Sequence, residues 1–340
     1  MESTGKQQDA AVPPEGLPPL EEVRQGVWAL AQPMPGGHLA HSSSYLVGGA
    51  DGSVHVIDPG WDSDENWDRL VSALDVVVPG GAGAAAVSGI TGTHLHPDHV
   101  GMAARLRAAS GVPFALHAAE CRALEHHGAR GRDPEEATAQ LVAWGVPPDR
   151  REELTGRVAR FPEGLDLAVD HELSYGEVLA VPGSVIRVLA TPGHTGGHIC
   201  LVDERRKLLF TGDHVLPAVF PGLGLGGPTV TNPLADYAES VRRVCRYPEH
   251  EVLPGHGHRF TGVADRAREC LEHQLQRTCQ VAAALEEART RNTVPTVWEL
   301  AAGLTWSAGW AGLQGFQLLS ALSQTAMHRD HVGEPGAPAP

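Results

Sequence analysis

Short apolar runs separated by turn residues dominate the chain from about residue 22 to residue 260. "GVWALAQP" (26–33), "SSYLVGG" (43–49) and "SVHVIDPG" (53–60) have the length and composition of successive strands, with glycine and aspartate supplying the turn between the last two. Apolar residues then fall at helical spacing in "DENWDRLVSALDVVV" (64–78). A strand at "AAVSGITGTHLH" (85–96), a helix at "GMAARLRAA" (101–109) and a strand at "VPFALH" (112–117) follow. Residues 118–163 read as helical, rich in Arg and Glu, and broken at Pro147-Pro148. Strand-like segments return at 184–194, 198–204, 207–213 and 251–256. From about Gly262 the pattern is helical again, with "RARECLEHQLQRTCQVAAALEEART" the longest stretch. Strands, a helix-rich insertion and strands again predict an α/β fold in which two sheets lie between helices.

The length of 340 residues fits one large domain with a helical appendage. The expected division is a main domain over 21–261, with 118–163 inserted as a helical cap over its site, and a helical extension over 262–330. The Pro-, Glu- and Gln-rich residues 1–20 and the tail 331–340 are expected to be disordered. The long C-terminal helix leaves two options open: pairing in a homodimer, or covering a sheet.

Composition narrows the function classes. Forty-two per cent hydrophobic residues support a substantial core, while a net charge of −15 with no basic run argues against nucleic acid as a partner. The five cysteines form no CxxC pair and their number is odd, which suits a reducing cytoplasm rather than a disulfide framework. The first twenty residues lack the apolar core of a signal peptide, and no apolar run is long enough to span a bilayer. The expectation is a cytoplasmic protein without a membrane partner.

Nineteen histidines are many for this length, and three of them crowd into "THLHPDHVG" (93–101) with an aspartate. His94 and His96 are two apart, so in an extended segment both imidazoles face one way. Pro97 turns the chain, and Asp98 and His99 then face a neighbouring point. Three further strand-like runs end in similar residues: "ATPGHTGGH" at His194, "LLFTGDH" at Asp213 and "VLPGHGH" at His256. Glycines beside each allow sharp turns and close approach. Desolvating so many polar side chains together is costly without a metal. Imidazole mixed with carboxylate suits zinc, and also iron or manganese.

The set THxHxDH, PGHTxGH, TGD and PGHG, preceded by "VIDPG" (56–60), resembles the metallo-β-lactamase-fold hydrolases over roughly residues 22–260. That resemblance implies a four-layer αβ/βα sandwich with metals at one sheet edge. It implies His94, His96 and His194 as ligands of a first metal, and Asp98, His99 and His256 as ligands of a second, bridged by Asp213. Two Zn2+ are the implied cofactors, with Fe or Mn as alternatives. The segment after Gly262 resembles the small helical, winged-helix-like extension of bacterial members. Asp58 matches a carboxylate that in the family orients a ligand histidine, although a turn-forming Asp before Pro-Gly explains it equally well. His198 matches the second His of PGHTxGH and reads as structural or as a neighbour of the site. His214 and His258 read as solvated loop histidines, and Trp298, Trp306 and Trp310 as core anchors of the C-terminal helices.

A carboxylate-bridged metal pair makes hydroxide available near neutral pH for attack on an acyl carbonyl, with Asp98 placed to orient the nucleophile and accept its proton. No GxSxG motif offers a serine nucleophile instead. Asp213 makes the chain resemble the glyoxalase II-like thioesterases and lactonases; by resemblance, the true zinc β-lactamases carry Cys in that slot or lose the carboxylate. The first expectation is therefore a hydrolase acting on a small acyl thioester, with a lactone or other ester as the alternative substrate. A mononuclear iron enzyme resembling persulfide dioxygenases comes next, and a metal-binding non-enzyme last. The uncharged stretches "VFPG" and "PTVTNP" around 220–233 suit an apolar acyl group.

Overall fold

Alternation along the strands sets the layers. In β4 (His41–Gly48), Tyr45 and Val47 face one way and Leu46 the other, and all three are buried. A strand buried on both faces needs a cover on each, and the chain builds a second sheet on one side and helices on the other. The structure is a computed structural model, and it describes residues 2–3, 16–35, 39–78, 80–127, 134–160, 167–227, 229–306 and 309–333.

A two-residue strand, β1 (Glu2–Ser3), precedes β2 (Glu21–Arg24) and β3 (Val27–Pro33). After β4 come β5 (Val54–Ile57), α1 (Asp64–Val77), β6 (Val87–Thr91), α2 (Pro97–Val100), α3 (Ala103–Ser110) and β7 (Phe114–His117). Helices α4 (Ala118–His127), α5 (Pro134–Ala143) and α6 (Pro148–Arg160) lead to β8 (His171–Leu173). The second half carries β9 (Ile186–Ala190), β10 (Ile199–Asp203), β11 (Leu208–Gly212), α7 (Pro233–Val244), β12 (Glu251–Pro254) and β13 (Phe260–Thr261). It ends with α8 (Val263–Thr290), α9 (Val297–Gly303) and α10 (Gly315–Gly333).

One sheet has the order β2-β3-β4-β5-β6-β7-β8, and the other β1-β13-β12-β11-β10-β9. Between them Val27, Tyr45, Val47 and Ile57 meet Ile199, Leu201, Phe210 and Leu253. The outer face of the first sheet packs on Leu70 and Leu74 of α1 and Leu106 of α3; that of the second packs on Val241 and Val244 of α7 and Val263, Ala267 and Cys270 of α8. Each buried Leu or Val side chain among these contributes about 2 kcal/mol through burial. The four expected layers are present, and α8 covers a sheet within its own chain.

Several expectations change in detail. Strand β6 stops at Thr91, so His94 and His96 stand in a loop rather than on a strand. Gly92 allows the turn: a Cβ there would lie 2.5 Å from Val100 Cγ1. Pro97 begins the short helix α2 at its first position, where a missing N–H costs nothing and φ is already helical. The described helices of 118–160 divide between two packings. Helix α4 packs on β7 and β8, whereas α5 and α6 join α9 and α10 in a separate hydrophobic cluster that includes Leu141, Leu154, Leu318 and Leu322. Trp298 and Trp310 meet edge to face at 4.8 Å beside that cluster. At the N-terminus, Glu2 and Ser3 pair with Thr261 and Phe260, so that stretch is not wholly without structure; residues 1 and 4–15 lie outside the described residues. Helix α10 runs two residues past His331, and 334–340 lie outside the described residues. After residue 262 the described residues hold helices and no strand. The five cysteines are free. Among the described residues no helix is long and apolar enough to cross a membrane.

Candidate metal centre

Four chain segments meet at one edge of the two sheets. They follow β6, join β9 to β10, follow β11 and follow β12. Backbone hydrogen bonds lock them together: Ile199 N–H to Thr93 O at 3.0 Å, Gly255 N–H to Gly212 O at 2.8 Å, and Ser43 N–H to Gly255 O at 2.8 Å. All seven residues expected as ligands arrive there. His94, His96, His194 and Asp213 form one group that could hold a metal ion; Asp98, His99 and His256 form a second.

The outward partners of the five imidazoles decide which nitrogen carries the proton. His96 Nε2 lies 3.0 Å from Leu225 O and His194 Nδ1 lies 2.7 Å from Gly222 O. A carbonyl only accepts, so both of these nitrogens donate. Thr93 Oγ1 donates to Asp58 Oδ2 at 2.8 Å, so His94 Nδ1, 3.0 Å away, must donate to Thr93 Oγ1. His99 Nδ1 donates to Asp58 Oδ2 at 2.9 Å, and His256 Nδ1 to His41 O at 2.9 Å. Each neutral ring is therefore left with a lone pair pointing inward. His94 Nε2 and His194 Nε2 stand 2.9 and 3.0 Å from His96 Nδ1. Three lone pairs converging like this repel unless a cation sits among them. Tetrahedral zinc with Zn–N near 2.0–2.1 Å spaces its ring nitrogens about 3.3 Å apart, close to the observed separations.

The carboxylates complete both groups. Asp213 Oδ2 is 3.7 Å from His194 Nε2, while Oδ1 is 3.3 Å from His99 Nε2 and 3.4 Å from His256 Nε2. One aspartate thus turns an oxygen toward each group. Asp98 Oδ2 lies 3.1 Å from His256 Nε2 and 3.5 Å from His99 Nε2. His99 Nε2 and Asp213 Oδ1 are buried and lack a hydrogen bond of good geometry. The donor set and these orphaned atoms fit a pair of divalent cations.

Electrostatics separates the two groups. Burial pushes His94 well below its ordinary value, helped by the neighbouring His99 and His96, and lowers His194 to about 4. Burial also opposes charge on His99 and His256. There Asp213 and Asp98 outweigh it, holding His99 well above 6.5 and His256 at about 10. In return His256 and His99 keep Asp213 well below the usual carboxylate range despite its burial. The second group therefore demands positive charge, from protons or from a metal.

Further side chains hold this arrangement. Asp58 is buried with φ of 52°, and besides His99 it accepts the Thr93 N–H at 2.7 Å. It therefore both shapes the turn and orients the imidazole. His198 accepts the Asp213 N–H on Nε2 at 3.2 Å and donates from Nδ1 to Thr191 Oγ1 at 2.9 Å, so it is a buried neighbour that places Asp213. His214 is buried against Tyr237 rather than solvated, because the 213–216 turn folds inward under α7. His258 is only partly exposed. Sequence reasoning missed Glu120. It is fully buried, its carboxylate accepts from Leu95 N–H and Gly197 N–H, and burial pushes it up to about 7 against those donors. A lone glutamate inside an Arg- and Glu-rich helical segment carries no signal of burial.

The profile of the metallo-beta-lactamase superfamily matches residues 39–256. The lactamase-like protein adaB of Aspergillus niger is 28% identical over 292 residues, which is 85% of this chain and 73% of that protein. The atrochrysone carboxyl ACP thioesterase of Aspergillus chevalieri is 35% identical over 117 residues, 34% of this chain and 35% of that protein. A metallo-beta-lactamase family protein from Thermus thermophilus, solved as a crystal structure, matches with a TM-score of 0.72 and 27% identity, covering 93% of this chain and 96% of that one. Two helix-flanked sheets, histidine-rich segments meeting at one sheet edge, and a profile match spanning them all have one reading: the chain belongs to the metallo-beta-lactamase superfamily.

Proposed function

We propose that the protein is a dinuclear metal-dependent hydrolase of acyl thioesters. The observation that carries this reading is the convergence of five imidazole lone pairs, each fixed by a partner behind the ring, on two carboxylates. His94, His96 and His194 would hold one ion, and Asp98, His99 and His256 the other. Asp213 would offer one oxygen to each, with zinc as the first choice of metal. When bound, divalent ions of this kind supply Lewis acidity that polarises a carbonyl and acidifies water near neutral pH.

The chain's own residues do the rest. Asp98 retains 14% side-chain exposure where His99 and His256 have almost none, so it faces the space a substrate enters. Its carboxylate, beside the Nε2 atoms of His99 and His256, would orient an attacking water and take its proton. Asp58, Gly222 O, Leu225 O and His41 O keep the rings from turning, so geometry is set before substrate arrives. The loop that supplies Gly222 and Leu225 carries no charged residue from Val215 to Gly227, which favours an apolar acyl chain beside the reacting carbonyl. The relative named as an ACP thioesterase supports the thioester over other acyl bonds.

Metal analysis of the purified protein beside a panel of thioesters, lactones and a chromogenic β-lactam tests the reading. Two equivalents of zinc with preferential thioester turnover is the expected result. Iron with consumption of persulfide, or zinc without turnover of any ester, would overturn it.

A further inference from the structure

We infer that Glu120 is a positioning residue whose carboxylate ties the turn bearing His94 and His96 to the turn bearing His194 and His198, and so sets the spacing of the three-histidine group. Oε2 accepts the N–H of Leu95 at 2.8 Å, and Leu95 stands between the two histidines of the first turn. Oε1 accepts the N–H of Gly197 at 2.6 Å, next to His198 and three residues past His194. The first turn leaves the seven-stranded sheet after β6; the second joins β9 to β10 in the six-stranded sheet. The 2.9 Å separation of His94 and His96 lies within the first turn, but the 3.0 Å separation of His194 Nε2 from His96 Nδ1 depends on how loops from two different sheets are held together. Each oxygen of Glu120 serves one loop.

The local chain is built for this contact. Glu120 is the third residue of α4, which starts directly after β7 and aims the side chain behind the site. Gly197 permits the approach, since a Cβ there would lie 2.8 Å from Glu120 Oε1 and 2.7 Å from Glu120 N. Hydrogen bonds to a carboxylate are short and strong, and more so where water is excluded. No Lys or Arg is paired with Glu120 among the described residues, so the two backbone donors, together with the Thr195 hydroxyl of the second turn, are what offset its desolvation. An apolar side chain at this position would leave the buried N–H groups of Leu95 and Gly197 without an acceptor. Placement of the two turns accounts for a carboxylate here, and core packing does not. The metal-affinity consequence rests on the proposed metal site, but the tie between the turns does not.

The test is Glu120→Gln in the full-length protein. Glutamine has the same shape but one acceptor oxygen, and its amide group would face an N–H, so one turn is released. The expected result is a folded variant whose zinc affinity falls about 10–100-fold for one equivalent, read by chelator competition, with the other equivalent within about threefold. In the metal-free variant, hydrogen exchange at Leu95 or Gly197 should quicken at least about tenfold, because the carboxylate no longer protects both. A folded variant with wild-type affinity for both equivalents, equal loss of both, or unchanged exchange would overturn the inference. If the variant does not fold, metal-free wild-type protein decides. Protection of both amides supports the tie, and exchange at free-peptide rates overturns it. If the wild-type protein binds no zinc, the proposed function fails while the exchange measurement still judges Glu120.

Discussion

Asp58 Oδ2 receives the Nδ1–H of His99 at 2.9 Å while Asp58 Oδ1 receives the Thr93 N–H at 2.7 Å, so one carboxylate aims a ring and anchors the loop that carries the neighbouring His94. Asp58→Asn separates the two duties. Asparagine tolerates the positive φ of 52° and can still accept from Thr93 through its single oxygen. It cannot also accept from both Thr93 Oγ1 and His99. Zinc affinity should fall about 10–100-fold, the usual cost of losing a carboxylate behind a ligand histidine. The metal-free variant should also melt at a lower temperature, because the buried His99 Nδ1–H and Thr93 Oγ1–H would lose their shared acceptor. Undiminished zinc retention under chelator challenge would show that Asp58 only makes the turn.

Much of this site was legible in the sequence because its information is local. His94, His96, Asp98 and His99 sit within six residues, and glycines mark each of the other three tips. The strands were legible too, since Tyr45, Val47, Leu201 and Phe210 alternate with residues of the opposite face. What stayed hidden depends on distant contacts. Nothing near Glu120 announces that Leu95 and Gly197 will fold against it. The burial of His214 depends on Tyr237 of α7, and the union of α5 and α6 with α9 and α10 on packing across more than 150 residues, as in the Arg150 to Leu313 O hydrogen bond. Pro97 was misleading for a different reason: proline breaks a helix interior but favours its first turn.

Metal-free protein should lose stability as pH rises from about 6.5 to about 10. His256, raised to about 10, and His99, raised well above 6.5, bind protons in the folded state that the unfolded chain has already released. Their stabilising contribution is complete below pH 6.5 and disappears as pH climbs through the folded values. Glu120, raised from 4.5 to about 7, adds a cost that accumulates between those values and is the same with or without metal. Bound metal takes the place of the protons on His99 and His256 and removes their share of the slope. Melting temperatures measured across this range for chelator-treated and zinc-loaded protein should diverge as pH increases. Parallel curves would mean that no cation replaces those protons.

Gly255 gives the sharpest steric test of the shared aspartate. Its φ is ordinary, so alanine costs nothing in backbone conformation, but a Cβ would stand 2.4 Å from Asp213 Oδ1 and 2.6 Å from His99 Cε1. One of those groups must move. Asp213 is the freer of the two, because His99 is pinned by Asp58. Its Oδ1 would swing away from His99 and His256, and the second group would lose the oxygen turned toward it. Gly255→Ala should cost about 1–3 kcal/mol from overpacking and retain one equivalent of zinc instead of two. Gly303→Ala is the matched control, since no atom lies within 4 Å of its Cβ position and its φ is also ordinary. It should leave zinc content unchanged and stability equal or higher by about 0.5–1 kcal/mol. Two tightly held equivalents in Gly255→Ala would show that Asp213 is not the group that links the two halves of the centre.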